Sequence, residues 1–213
     1  MSVLGRTIRR ARRLLLDRVL ERSGETSGAV RLGDLGIAEK DYHDYEPSGW
    51  RGLRRAMRGL RVEHSDSFVD IGCGKGRVVA QAARRPFGRV LGVELSPELA
   101  AQARTLLAGE KRRRRCDRVE IVVADVTTWA FPDDVTYAYV YNALSGDALT
   151  AMLDRIAESA RRRPRALLLL YANPVHEDSV LAHPAFELEG RRGRQRWQAD
   201  DPRRITVFRV LDV

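Results

Sequence analysis

Lysine is almost missing from this strongly basic chain. It stands only at Lys40, Lys75 and Lys111, so nearly all of the 38 basic residues are arginine. Cysteine is scarcer, with Cys73 and Cys116 alone. They show no repeated pair spacing and no histidine cluster beside them, so neither a disulfide framework nor a metal site is expected, and a reducing, cytoplasmic setting fits. No apolar run approaches the roughly 18 residues of a membrane span; "ALLLLY" at 166–171 has the length of a strand. Arginines interrupt the apolar positions of the N-terminus and no small-residue cleavage site follows, which argues against a secretory leader. Internal repeats are absent.

What is present begins with charge. A net charge of +9 favours a polyanionic partner, and nucleic acid is the natural candidate. Arginine spread over solvated faces by a coding bias would give the same total, so charge alone leaves that partner open. The chain of 213 residues suits one domain with a short extension. Val3, Leu4, Ile8, Leu15, Val19 and Leu20 follow the spacing of an amphipathic helix, and the glycine- and serine-rich run 22–36 reads as a connector. Residues 1–44 are thus expected to form an N-terminal helical extension and connector, and 45–213 the main domain. Oligomeric state leaves no sign in the sequence.

From Ser67 onward short apolar runs alternate with helical patterns. "SFVDIG", "GRVLGVEL", "RVEIVVAD", "VTYAYVYNAL" and "RALLLLYANP" read as strands. "RGLRRAMRGL", "RVVAQAARR", "SPELAAQARTLLAGE" and "GDALTAMLDRIAESARRR" read as helices, the third with Ser96 as N-cap, Pro97 at the first helical position and Glu98 near the positive end of the dipole. This alternation implies a parallel sheet with helices on both faces. The ending breaks the pattern: "AFELEG" and "RITVFRVLDV" are strand-like with no helix between them, so an antiparallel pair closes the sheet. The expected fold is α/β, a doubly wound, mostly parallel sheet with a C-terminal antiparallel strand pair.

In such sheets ligands bind at the carboxyl ends of the strands, which directs attention to "VDIGCGKGRVV" at 69–79. Gly72, Gly74 and Gly76 give G-x-G-x-G; the dinucleotide fingerprint would need glycine where Arg77 stands, and the phosphate-binding loop would need a hydroxyl residue after Lys75. Asp70 at the strand tip would repel a pyrophosphate but suits a ligand with positive charge, such as the ammonium and sulfonium of S-adenosylmethionine. Glu94 at the end of the second strand is placed for a ribose diol, and Asp125 at the end of the third for an adenine amino group. Three acids at three successive strand tips, with the glycine loop, point to a bound nucleoside of this kind.

These stretches resemble a class I, seven-stranded S-adenosylmethionine-dependent methyltransferase over residues 45–213, most specifically in "FVDIGCGKGRVV", "VLGVELSPELAAQAR" and "VVADVTTW". "DIGCGKGRVV" followed by "GVELSPEL" is similar to the branch containing the non-SET histone-lysine methyltransferases and uncharacterised bacterial relatives. The resemblance implies that Asp70, Gly72 and Gly74 line the methionine part of the cofactor, that Glu94 holds the ribose hydroxyls, and that Asp125 with Val126 frames the adenine. Cys73, Gly76 and Leu95 are further expected cofactor-binding residues. Asn142 would face the reacting methyl, and Tyr45, Glu46 and Ser48 would belong to a loop that closes over the cofactor. Asn142 and Tyr45 are the implied catalytic residues.

One departure stands out. Amine-directed relatives often carry Asn-Pro-Pro-Tyr or Asn-Pro-Phe where this chain has Asn142-Ala143-Leu144. Candidate bases near the expected mouth are Tyr45, Glu46, Tyr141, Asn142, Tyr171 and His176, needed only if the acceptor arrives protonated. Cys73 and Cys116 are poorly placed for covalent catalysis. The expected activity is methyl transfer from S-adenosylmethionine to an unassigned acceptor, whether protein lysine, small molecule or RNA; the alternative is a non-catalytic S-adenosylmethionine- or RNA-binding module on the same fold.

Overall fold

The computed structural model describes residues 26–37, 40–192 and 204–213. The expected helix over 3–20 and most of the arginine-rich turn before the last strand lie outside the described residues. Seven strands, β1 Ser67–Ile71, β2 Arg89–Glu94, β3 Val119–Val123, β4 Tyr137–Tyr141, β5 Leu167–Ala172, β6 Phe186–Arg192 and β7 Ile205–Val210, form one sheet in the order β3-β2-β1-β4-β5-β7-β6. The first five pair in parallel, while β7 runs antiparallel to β5 and β6 antiparallel to β7. The doubly wound reading with a closing antiparallel pair is therefore what the chain adopts.

Helices α1 Gly52–Ala56, α2 Arg77–Ala83, α3 Pro97–Gly109, α4 Gly146–Arg162 and α5 Glu177–Leu181 cover the two faces. β1 is buried throughout, and its alternate residues serve different cores: Phe68 packs with α1 and α2, Val69 and Ile71 with α4. α4 turns Leu149, Met152, Leu153, Ile156 and Ala160 to the sheet at helical three- and four-residue steps. Each such side chain contributes about 1.5–3 kcal/mol by leaving water. α3 begins as its sequence indicates, with Ser96 Oγ accepting from Leu99 N–H at 3.2 Å.

Two expectations are corrected in extent. The helix anticipated over 51–60 spans only Gly52–Ala56, because the chain turns at Met57 and Gly59 takes φ +76°, left-handed and incompatible with a continuing helix. β3 ends at Val123, so Asp125 lies beyond the strand tip rather than on it.

The connector packs on the sheet. Val30 bridges Tyr45, and Tyr42 bridges Leu144. Asp41 caps the start of α4, its carboxylate accepting from Asp147 N–H at 3.2 Å and its carbonyl from Ser145 N–H at 2.8 Å. Residues far apart in sequence are thereby set above the carboxyl ends of β1, β4 and β5. Among the described residues no helix is long and apolar enough to cross a membrane.

Candidate functional site

The strand order reverses on either side of β1, and the crevice this creates at the carboxyl ends of β1, β2 and β4 is where open α/β sheets receive ligands. A cavity of ≈ 90 Å³ lies there, with Asp70, Gly72, Cys73, Glu94, Leu95, Val126, Tyr45 and Glu46 among its walls. Asp70 and Glu94 are buried, at 4% and 6% exposure. Burial pushes the Asp70 carboxyl well above the usual carboxylate range, and the neighbouring Glu94 pushes it further. Burial also raises Glu94, though N–H groups of Ser96, Gly74 and Leu95 counter part of the rise. Glu94 accepts from Gly74 N–H at 2.7 Å and Ser96 N–H at 3.0 Å, which ties the glycine loop to the tip of β2. Two buried carboxyl groups facing one cavity form a cradle suited to a cation.

The loop itself is left-handed at Gly72, Gly74 and Gly76, with φ of +67°, +52° and +78°. At Gly74 the missing side chain makes room for Tyr45, since a Cβ there would lie inside the Tyr45 ring. At Gly76 it makes room for α3, where a Cβ would come within 2.9 Å of Ala103 Cβ. Gly74 is therefore roofed by the connector, and Gly76 sits against a helix rather than at the cavity wall. The Tyr45 hydroxyl donates to the Thr26 carbonyl at 3.0 Å, and the Lys75 ammonium lies over the Tyr45 ring. Arg77, buried at the start of α2, lines the cavity and donates to Thr26 Oγ1 and to the Ser48 carbonyl, each at 2.8 Å.

Asp125 is held by its surroundings. Its Oδ1 accepts from the Tyr42 hydroxyl at 2.5 Å, from Thr127 N–H at 2.9 Å and from Thr127 Oγ1 at 2.7 Å. Partial burial pushes this carboxyl up, but the hydrogen bonds from Tyr42 and Thr127 outweigh it and leave it below its ordinary value. Val126 is buried beside it and lines the cavity.

A second cavity of ≈ 240 Å³ adjoins the first, bounded by His43, Asp44, Glu46, Tyr141, Asn142 and Asn173. His43, Asp44, Glu46 and Tyr141 face both. Asn142 and Asn173, at the tips of the adjacent strands β4 and β5, take φ of +40° and +50°. Left-handed backbone outside glycine is uncommon and clusters at functional sites. His43 is fixed to β4: its backbone N–H donates to the Ala143 carbonyl at 3.0 Å, and its ring Nδ1 lies 2.7 Å from the Asn142 carbonyl.

Of the two anticipated catalytic residues, Asn142 borders the second cavity and Tyr45 the first. Among the other candidate bases, Glu46 and Tyr141 border both. The Tyr171 hydroxyl donates to Asn142 Oδ1 at 3.5 Å, and burial pushes it up to about 12, which suits a supporting donor better than a base. His176 contacts the His43 ring at 5.7 Å between centroids. His43, Asp44, Tyr42, Arg77 and Asn173 were not anticipated. The density of ionisable and aromatic residues in "DYHDYE" at 41–46 is the signal that flags three of these, Tyr42, His43 and Asp44. Cys73 is buried at the cavity wall, where burial and then Asp70 and Glu94 push its thiol well up, leaving it unreactive. Among the described residues no group of histidine, cysteine, aspartate and glutamate could hold a metal ion.

Residues 68–163 match the family described as a methyltransferase domain. Over that stretch the chain is similar to methyltransferase domains. Solved structures share its fold. An RNA methyltransferase from Salinibacter ruber, in complex with S-adenosylhomocysteine, superposes with a TM-score of 0.53 at 18% identity over 79% of this chain and 95% of its own. A TehB-like methyltransferase from Corynebacterium glutamicum gives 0.54 at 17%, over 84% and 94%. A chain from the complex of the Haloferax volcanii Trm112 activator with a putative methyltransferase gives 0.53 at 19%, over 76% and 89%. At these identities the likeness concerns the fold of the methyltransferase domain. No curated protein matches the chain.

Proposed function

We propose that this methyltransferase domain holds S-adenosylmethionine in the smaller cavity and presents its methyl group to an acceptor in the larger one. The observation that carries this reading is the pair of buried carboxyl groups, Asp70 and Glu94, facing one cavity at the tips of adjacent strands. Asp70 takes the ammonium of the methionine part, and Glu94 accepts from the ribose hydroxyls. Asp125, with Oδ1 engaged by Tyr42 and Thr127, offers Oδ2 to the adenine amino group above Val126. When bound, the cofactor supplies a methyl carbon already activated by positive sulfur, so the chain's work is placement of the two partners and exclusion of water.

The smaller cavity has room for about three waters, far below the roughly 300 Å³ or more of a small-molecule site. Tyr42 and Tyr45 wall it on the connector side, so we infer that residues 40–46 swing outward to admit the cofactor and close over it. The functional unit therefore begins by Lys40, although the family-like core starts near Tyr45. The covering of Gly74 by Tyr45, with the "DIGCGKGRVV" and "GVELSPEL" runs, supports an affiliation near the branch containing the non-SET histone-lysine methyltransferases. Buried free Cys73 and Cys116 support a cytoplasmic setting.

The most concentrated basic run, Lys111 to Arg118, precedes β3 and lies at the amino ends of the strands, across the sheet from both cavities. Glu110 pairs with Arg84 and Arg113 within it. This placement favours a small or side-chain acceptor over RNA anchored by that patch. Calorimetric titration with S-adenosylhomocysteine tests the reading: saturable binding at one site is expected, and no heat with a folded protein contradicts it.

A further inference from the structure

The second cavity has one sign of charge. Its described walls carry two carboxylates, Asp44 and Glu46, one imidazole, and no lysine or arginine, in a chain whose net charge is +9. Its depth is bounded by the two left-handed asparagines at the strand tips, and it opens onto the cavity assigned to the cofactor. A carbonyl oxygen can only accept, so Nδ1 of His43, 2.7 Å from the Asn142 carbonyl, carries a proton. In the neutral ring Nε2 is then the atom with a free lone pair. The backbone bond from His43 to Ala143 fixes the ring at the boundary between the cavities.

Resting on the cofactor reading above, we propose that the acceptor is a small aliphatic amine, or the tip of an amine-bearing side chain, drawn in as its ammonium by Asp44 and Glu46 and deprotonated by His43. Nε2 takes one proton from the ammonium, and the freed nitrogen pair forms the C–N bond to the methyl carbon. The C–S bond breaks with its electron pair left on sulfur, giving S-adenosylhomocysteine and a protonated N-methylamine; His43 then returns its proton to water. The departure from Asn-Pro-Pro-Tyr at 142–144 is thus offset by a base and carboxylates supplied from the connector.

The test uses the full chain with histidine labelled by ¹⁵N, loaded with S-adenosylhomocysteine and titrated with n-butylammonium chloride or 1-butanol. The neutral His43 ring is expected to show the Nδ1–H tautomer, and its signals to respond to n-butylammonium at concentrations at least tenfold below 1-butanol. That preference is lost in Asp44→Asn/Glu46→Gln. With methyl-labelled S-adenosylmethionine, n-butylamine accepts label, and His43→Ala lowers the rate by about 100-fold or more, with free imidazole restoring part of it. Equal response to amine and alcohol, the Nε2–H tautomer, no label on the amine, or no imidazole rescue would each overturn the proposal. Intact cofactor heat in those cases leaves the cofactor reading standing, whereas loss of that heat in the unaltered protein overturns the reading itself.

Discussion

The two cavities share four wall residues yet are built in opposite ways. The smaller is local: Asp70, the glycine loop and Glu94 lie within 25 residues of one another, on two adjacent strands and the loop that follows the first, and Gly74 N–H reaches Glu94 directly. The larger is assembled at long range, the His43–Asn142 contact joining residues 99 apart in sequence. One is a motif and the other a meeting point. The difference teaches that the proposed donor site comes with the strand order, whereas the proposed acceptor site is set by how the connector lies on it.

The largest expected effect breaks the local half. Asp70→Asn removes the charge facing the ammonium and is expected to weaken cofactor binding by about 2 kcal/mol or more, roughly 30-fold. The same change should stabilise the ligand-free protein. A carboxyl whose folded-state value is raised binds its proton more tightly when folded, so its contribution to stability is greatest below the ordinary value near 3.8 and is lost as pH rises toward the raised one. At neutral pH the variant should therefore melt higher than the parent, and the gap should close toward pH 4; thermal scans across pH check both signs. A variant that both binds and melts like the parent would show that Asp70 does not face the ligand.

Next in size is Gly74→Ala, which tests whether the Tyr45 roof of the smaller cavity is fixed by the glycine loop beneath it. A Cβ at left-handed φ costs about 1–2 kcal/mol, and here it also displaces the Tyr45 ring. A fall in melting temperature of roughly 4–8 °C follows if that ring cannot move aside, taking roughly 2–4 °C per kcal/mol. Pairing it with Tyr45→Ala should recover the part due to the ring, which a double-mutant cycle reads.

A smaller effect sharpens the link between the halves. Tyr42→Phe removes one hydrogen bond that ties the connector to Asp125, worth about 1 kcal/mol. A bond present both before opening and after closure leaves affinity nearly unchanged but adds to the cost of opening, so the variant should bind S-adenosylhomocysteine at the same strength and associate up to about fivefold faster. Markedly tighter binding would mean that the liganded state lacks the Tyr42 bond. The smallest effect expected is none: Arg112→Ser/Arg113→Ser/Arg115→Ser, at the far edge of the sheet, should leave methyl transfer unchanged. A marked loss, with loss of RNA retention on a filter, would return nucleic acid as the acceptor.

This contrast also marks what was legible in the sequence. Alternating periodicity gave the parallel sheet and its antiparallel end, since burial of both faces leaves a pattern in the residues themselves. The positions of Asp70, Glu94 and the glycines were readable because a strand–turn–helix unit fixes where they lie. Asp125 was readable as a residue, though β3 stops at Val123 and the hydroxyl of Tyr42 reaches it from the connector. His43, Asp44 and Asn173 were not readable. Nothing in a short polar run says which strand tip it will lie on, and the bridges from Val30 to Tyr45 and Tyr42 to Leu144 that decide it are nonlocal. The excess of arginine pointed toward nucleic acid, but net charge is a sum, and it conceals that the walls around the second cavity have the opposite sign.

The central claim is that the buried acids at the tips of β1 and β2 hold a cationic nucleoside. Calorimetry of S-adenosylmethionine binding at pH 7, repeated in buffers of different ionisation enthalpy, tests it most directly. The account predicts saturable binding, and predicts that most of the affinity, with any proton release that passes through Asp70, disappears in Asp70→Asn, because burial raises the Asp70 carboxyl and a bound cation favours its charged form. Binding of equal strength and equal proton exchange in parent and variant would contradict it.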